Sequence, residues 1–372
     1  MWKIPLSTPQ INNEEIESVI NILENKWLTM GDVTKKFEEE FSKKLNVKYS
    51  IAVTNCTAAL HIANIALGID KKSEVICPAL TFVATANASK YTGANIIFAD
   101  SISEYDLTID PKDIIKKITK KTKAISVVHF AGFSCRMDEI TKISNSYGLK
   151  IIEDCAHSPT ASCEFIENNP KTGTMGDIGC FSFFSNKNMT TGEGGMITTN
   201  DEKLYEKMKL LRSHGMTSLT MDRYKGHANG YDVVTLGYNY RIDEIRSAIG
   251  LCQLNKIDEM NKKRRSIFNL YKNYLSNNNN VYIPFFDRDL NFSTPHIMVI
   301  IVNKKYEEIK NNLKENGIQI SKHYDLIPSF SLYKKSSFIS KIKNINNIIT
   351  LPLSPEMGEE NVIYITNIVN SI

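Results

Sequence analysis

The chain has 372 residues, 42% of them hydrophobic and 23% charged, the make-up of a folded protein with a large core rather than a disordered one. Its 45 Lys and Arg against 41 Asp and Glu leave a formal charge of +4, too even for nucleic acid or an anionic membrane to be the main partner. No apolar run approaches the ~20 residues that span a bilayer, and seven cysteines without a CxxC pair suit a reducing compartment. The opening Met1-Trp-Lys-Ile-Pro-Leu-Ser-Thr-Pro has no apolar core of the export-signal kind, so the expectation is a cytoplasmic protein.

In chain order, Asn12-Asn13 can cap a helix with Ile16, Val19, Ile20 and Leu23 on one face. A second helix over 33–45 repeats Phe37, Phe41 and Leu45. Short β-rich runs over 50–53, 74–77, 96–99, 124–130 and 150–153 then alternate with helical stretches over 57–67, 82–91, 111–118 and 137–147. Such alternation predicts an α/β fold with a mostly parallel sheet, helices on both faces and functional loops at the carboxyl ends of the strands. Strand-like 178–184 and 196–199 bracket Gly192-Glu-Gly-Gly195, which reads as a tight turn. A long helix over 244–275, with a break near Asn255 or Asp258 left open, leads through an asparagine run at 277–280 into a smaller α+β part. The expected division is an arm over 1–12, a large domain over 13–250 and a small domain over 251–372. The basic cluster Lys262-Lys-Arg-Arg265 reads as a solvated helix face.

Three segments carry candidate chemistry. Lys187 follows a nearly continuous apolar strand and precedes the glycine turn, so its amine is partly desolvated and favoured in the neutral, nucleophilic form. Such an amine can form a Schiff base with a carbonyl. Asp154 ends the apolar strand of Ile151-Ile-Glu-Asp-Cys-Ala-His157, where a carboxylate can cap a helix, act as a base or hold a protonated ring nitrogen. Asn55-Cys-Thr57-Ala-Ala-Leu joins a strand to a helix N-terminus, where hydroxyl and amide donors form either an ordinary cap or a phosphate site. Cys155, His157 and Cys163 lie close together in sequence, but without a second pair at ligand spacing no metal site is expected.

In combination and in this order, these segments resemble the DegT/DnrJ/EryC1/StrS sugar aminotransferases, enzymes of the fold-type I, aspartate aminotransferase-like architecture that use pyridoxal phosphate. The resemblance runs through Trp27-Leu-Thr-Met-Gly-Asp, Pro78-Ala-Leu-Thr-Phe-Val-Ala-Thr and Glu153-Asp-Cys-Ala-His-Ser. It continues through Phe181-Ser-Phe-Phe-Ser-Asn-Lys-Asn, Gly192-Glu-Gly-Gly, Gly237-Tyr-Asn-Tyr-Arg and Leu351-Pro-Leu-Ser-Pro-Glu-Met. It implies that Lys187 is the Schiff-base lysine and that Asp154 pairs with the pyridinium nitrogen. By the same resemblance Phe82 stacks on one cofactor face with Ala156 near the other, and His157 stands near the ring hydroxyl. Thr57, the Ala58 amide and Ser182 form the phosphate cradle. Asn239 reaches the phosphate from a neighbouring subunit, which implies a homodimer with shared sites.

The implied reaction moves the amino group of L-glutamate to a keto-sugar, most simply one carried on a nucleoside diphosphate, in cell-surface polysaccharide or amino-sugar biosynthesis. A cyclitol ketone or a small phosphorylated ketone would need the same core, and a dehydratase or a non-catalytic protein on the same fold stays open. Some relatives replace the lysine with histidine and dehydrate instead; Lys187 counts against that branch. For substrate, the candidates are His129 at a strand end, His323 and Tyr324 in the small domain, and a cationic loop over 213–238. That loop carries His214, Arg223, Tyr224, Lys225 and His227, and could bind phosphate or diphosphate.

Overall fold

The computed structural model describes residues 2–218, 224–226, 230–334 and 338–372. The chain opens with helix α1 (Asn13–Asn25), which Asn12 caps in a full capping box with Glu15. Helix α2 (Asp32–Leu45) follows, with Phe37, Phe41 and Leu45 buried as the spacing predicts. Then come β1 (Tyr49–Val53), α3 (Cys56–Ala66), β2 (Glu74–Pro78), α4 (Ala84–Lys90) and β3 (Asn95–Ala99). A small antiparallel hairpin, β4 (Ser101–Ser103) and β5 (Asp106–Ile109), leads into α5 (Pro111–Lys117), β6 (Thr122–Val128), α6 (Met137–Tyr147) and β7 (Lys150–Asp154). After an irregular stretch come β8 (Ile178–Ser182), β9 (Gly195–Thr199) and α7 (Glu202–Arg212). The chain then runs through α8 (Glu244–Leu275), β10 (Val281–Tyr282), β11 (Met298–Val302), α9 (Tyr306–Glu315), β12 (Ile348–Leu351) and α10 (Glu359–Asn370).

The seven-stranded sheet has the order β1-β9-β8-β7-β6-β2-β3. Its central pairs β8–β7, β7–β6, β6–β2 and β2–β3 are parallel, and β9 is antiparallel to both of its neighbours. The strands are apolar on both faces because helices cover both, as a doubly wound sheet requires. A second sheet of three antiparallel strands, β10-β11-β12, packs with α8, α9 and α10 around a separate core. The arm lies along this second sheet: the Lys3 N–H donates to the Gly317 carbonyl at 2.8 Å, and the Leu353 N–H to the Leu6 carbonyl at 3.1 Å.

One expectation changes, for the basic cluster, and two open points are decided. Helix α8 runs unbroken for 32 residues through Asn255 and Asp258, because its apolar face is continuous from the core beside Phe37 to the core of the small sheet. The basic cluster on α8 is only half solvated. Arg264 is buried and donates to the carbonyls of His296 and Leu353, and burial depresses its pKa to about 10. The stripe on α1 faces outward: Ile16 and Leu23 are 52% and 51% exposed, while Glu15 and Ile22 turn inward on the side facing α8.

Candidate active site

A cavity of about 310 Å³ opens at the carboxyl ends of β6, β7 and β8, where a doubly wound sheet places its ligands. Thr57, Phe82, Asp154, Ala156, His157, Ser182, Lys187, His323 and Tyr324 all line it. The large sheet contributes its strand ends and α3 its N-terminus, while the stretch between α9 and β12 brings in His323 and Tyr324.

Asp154 is the last residue of β7 and is buried. Its Oδ2 accepts from Thr85 Oγ1 at 2.7 Å and its Oδ1 from the Ala156 N–H at 3.0 Å. A carboxylate has about four acceptor positions, so capacity is left for a cationic ring N–H. Burial raises its pKa, and the bonds from Thr85 and Ala156 and the charge of Lys187 oppose that rise. Thr85 in turn lies 3.1 Å from Thr81 Oγ1, a hydroxyl pair that sequence reasoning passed over although both residues stand in the Pro78–Thr85 motif.

Lys187 is half-buried, and its pKa falls to about 8, chiefly through desolvation and against the pull of Asp154. Its Nζ lies 3.3 Å from His296 Nε2. His296 was missed in the sequence because it opens an apolar run that reads as core strand, 109 residues from the lysine.

His157 accepts the Ala131 N–H at Nδ1, 3.2 Å away, so its proton sits on Nε2, which faces Tyr324 Oη at 2.9 Å. Burial pushes the His157 pKa well below the usual histidine value, keeping the ring neutral, and pushes the Tyr324 hydroxyl up. His323 Nδ1 pairs with Thr350 Oγ1 at 2.9 Å, and burial lowers its pKa to about 4. Phe82 is 56% exposed over the cavity rather than packed in the core.

At the N-terminus of α3, Asn55 is the cap, and its Oδ1 accepts the Ala58 N–H at 2.8 Å. Ala58 is therefore not a free donor: its amide, expected in the phosphate cradle, is used by the helix's own cap. The Cys56 and Thr57 amides have no intrahelical acceptor, as at any helix start, and with the Thr57 and Ser182 hydroxyls they form an anion cradle. Gly195 allows β9 to pass this close, since a Cβ there would stand 2.8 Å from Cys56 N. A helix start with two hydroxyls, a buried carboxylate with spare acceptors and a desolvated lysine on one cavity wall match the phosphate, ring nitrogen and aldehyde of pyridoxal phosphate.

Other expected residues lie elsewhere. His129 does not reach the cavity: its Nδ1 accepts the Cys135 N–H and its Nε2 faces Glu153 Oε2 at 2.9 Å, so both ring nitrogens are committed inside the protein. Its position after β6 led to the substrate reading, but the ring turns away. His129, Glu153 and Cys155 bring their donor atoms within 4.8 Å of one another, but His129 and Glu153 are occupied by these and further hydrogen bonds. His214 is exposed and hydrogen-bonded through its backbone to Tyr238, away from the cavity. Tyr224 packs on Trp27 with ring centroids 4.7 Å apart, and Lys225 pairs with Asp32. Arg223 and His227 lie outside the described residues. Asn239 is exposed and bridges to Ser213, off the lining of this cavity. Among the described residues no helix is long and apolar enough to cross a membrane.

Residues 9–370 match the DegT/DnrJ/EryC1/StrS aminotransferase family. GDP-perosamine synthase of Escherichia coli is 37% identical over 376 residues, covering 100% of this chain and 98% of that protein. Helicobacter pylori PseC, an aminotransferase involved in the biosynthesis of pseudoaminic acid, superposes with a TM-score of 0.88 at 29% identity, covering 98% of each chain. A Streptococcus pneumoniae protein solved in its PLP form superposes with a TM-score of 0.88 at 26% identity, covering 99% of this chain and 98% of that one. The chain therefore belongs to the DegT/DnrJ/EryC1/StrS aminotransferase family and is a pyridoxal phosphate-dependent aminotransferase.

Proposed function

We propose that the protein transfers the amino group of L-glutamate to a keto-sugar carried on a nucleoside diphosphate, in the making of an amino sugar for a surface polysaccharide. The observation that carries this reading is the convergence of Lys187, Asp154 and the α3 anion cradle on one cavity. When bound, pyridoxal phosphate supplies an electron sink for the carbanion formed at the donor's Cα.

The chain's own residues do the rest. The Cys56 and Thr57 amides with the Thr57 and Ser182 hydroxyls anchor the phosphate. Asp154, oriented by Thr85 and Ala156, holds the ring nitrogen in its protonated form. Phe82 and Ala156 enclose the ring, and the neutral His157, steadied by Ala131 and Tyr324, faces the ring hydroxyl. Lys187 Nζ, freed as a neutral amine, would take the proton from the donor's Cα and give it to the cofactor carbon that carries the nitrogen; the same shift in reverse would put a proton on the acceptor's former ketone carbon. Hydrolysis of the donor portion releases 2-oxoglutarate, and the acceptor then takes the nitrogen.

The working form in this reading is a cytosolic homodimer. Ile16, Ile20 and Leu23 form an outward apolar stripe on α1, each about half exposed, and a second copy is the occupant proposed for it. Asn239 would then enter the partner's cradle. Within each protomer the large domain over 13–250 holds the cofactor, and the small domain over 251–372 supplies His323 and Tyr324 to the acceptor.

Absorbance tests the assignment. The purified protein with pyridoxal phosphate should show a visible band that bleaches on adding L-glutamate as 2-oxoglutarate appears, and then returns with a nucleoside diphosphate keto-sugar. A band that forms but no amino donor bleaches would remove the aminotransfer reading.

A further inference from the structure

His296 stands at the end of a hydrogen-bonded chain whose polarity can be worked out from one fixed point. Asn188 places its side-chain Nδ2 3.0 Å from the carbonyl of Thr294 and 2.9 Å from Asn261 Oδ1. A backbone carbonyl only accepts, so the Asn188 amide has one possible orientation, with its Oδ1 turned to His296 Nδ1 at 3.1 Å. The imidazole must then carry its proton on Nδ1 and present a lone pair from Nε2. That lone pair faces Lys187 Nζ at 3.3 Å. The Asn261 amide continues the chain to Thr160 Oγ1 at 3.1 Å, so every member is buried and partnered.

The backbone around the ring is held as firmly. The His296 N–H donates to the Ala131 carbonyl at 2.9 Å, and the Thr294 N–H to Gly132 at 3.0 Å. Gly132, at φ 98, is required here, since a Cβ would stand 2.1 Å from the Thr294 oxygen. Arg264 binds the His296 carbonyl from α8.

We infer that His296 is a positioning residue for Lys187: locked as the Nδ1–H tautomer, it accepts a hydrogen bond from the lysine's free amine and holds the nitrogen in place with its lone pair turned off the histidine. This rests on the function proposed above. A lysine held only by its flexible stem would spread the amine over several rotamers each time it is released. One N–H given to His296 leaves the lone pair and the second N–H to share the two remaining tetrahedral positions, both turned away from the histidine. The titratable groups that face the pair are Cys56 on α3, Asp154 on β7, Arg264 on α8, and His157 and His323. Burial keeps His296 neutral, so the acceptor persists across the physiological range.

Two measurements on the full-length, cofactor-free protein decide the matter without relying on turnover. With 15N-labelled histidine, the resonance lost in His296→Gln should show an unprotonated Nε2 and a protonated Nδ1; the reverse tautomer overturns the inference. Competitive acetylation of Lys187, read by mass spectrometry across pH, should give a midpoint that falls by about one pH unit in His296→Leu, because a bond from the ammonium to a neutral acceptor favours the charged lysine. His296→Gln, which keeps an acceptor, should stay near wild type. An unchanged midpoint in a folded His296→Leu protein would show that the ring only fills space. If that variant does not fold, the tautomer measurement decides alone. In the loaded enzyme kcat should fall about tenfold in His296→Leu, with the donor KM unchanged and Gln restoring the rate. Failure of the wild type to bind pyridoxal phosphate would sink the proposed function and leave both cofactor-free readouts standing.

Discussion

Glu153 and Asp154 are neighbours on β7 and both are buried, yet they lead opposite lives. Consecutive strand residues face opposite sides of a sheet. Glu153 is saturated on its side, holding His129 at 2.9 Å and the amides of Gly173, Met175 and Gly176 at 2.8, 2.8 and 2.6 Å. It staples the irregular 173–176 turn beneath β8. Asp154 has one donor per oxygen and looks into the cavity. Full satisfaction marks the carboxylate that builds the protein, and leftover capacity marks the one that meets a ligand.

Substitutions can break that contrast, beginning with the largest effect. Lys187→Ala removes the only lysine among the described residues that line the cavity, and amino transfer followed as 2-oxoglutarate release should fall by about 10³-fold or more. Asp154→Asn keeps an acceptor for Ala156 but loses the negative charge. Its turnover should drop by about 10²-fold or more while the denaturation midpoint barely moves. Glu153→Gln should do the reverse: stability measured in urea falls by about 3 kcal/mol, because an amide hydrogen is forced against one of four donors, and turnover per folded molecule is unchanged. The pH profile sharpens the picture further. In the cofactor-free protein, acetylation of Lys187 should rise about tenfold per pH unit below about 8 and level off above it, since only the neutral amine is a nucleophile. Smallest is Ile20→Glu on the outward face of α1, which should raise the dimer dissociation constant about tenfold in sedimentation with little change in the protomer's fold.

Much of this was legible from residues alone, for reasons that also explain the gaps. Buried parallel strands are apolar on both faces, so β1, β2, β6, β7 and β8 announce themselves, and the residues that close them, Asp154 and Ser182, fall at the sheet's carboxyl edge. Strand-end position does not say which way a side chain turns, which is why His129 read as a substrate contact. Periodicity finds an apolar stripe but not its partner, so the pattern on α1 did not say that its stripe faces out of the protomer. The hairpin β4–β5 is too short to carry a pattern. Asn55 read as part of a phosphate loop because capping and anion binding use the same residue types; only the bond to the Ala58 amide separates them. His296 depends on a contact between the loop after β8 and the segment before β11, which no local window contains.

The unbroken run of α8 has a mechanical consequence. Thirty-two residues at 1.5 Å each make a girder about 48 Å long that is bolted into both cores, with Arg264 as a rivet to the segments that flank β11 and β12. A rod without a kink offers no hinge of its own, so any change in the span between the two cores has to come from segments other than α8.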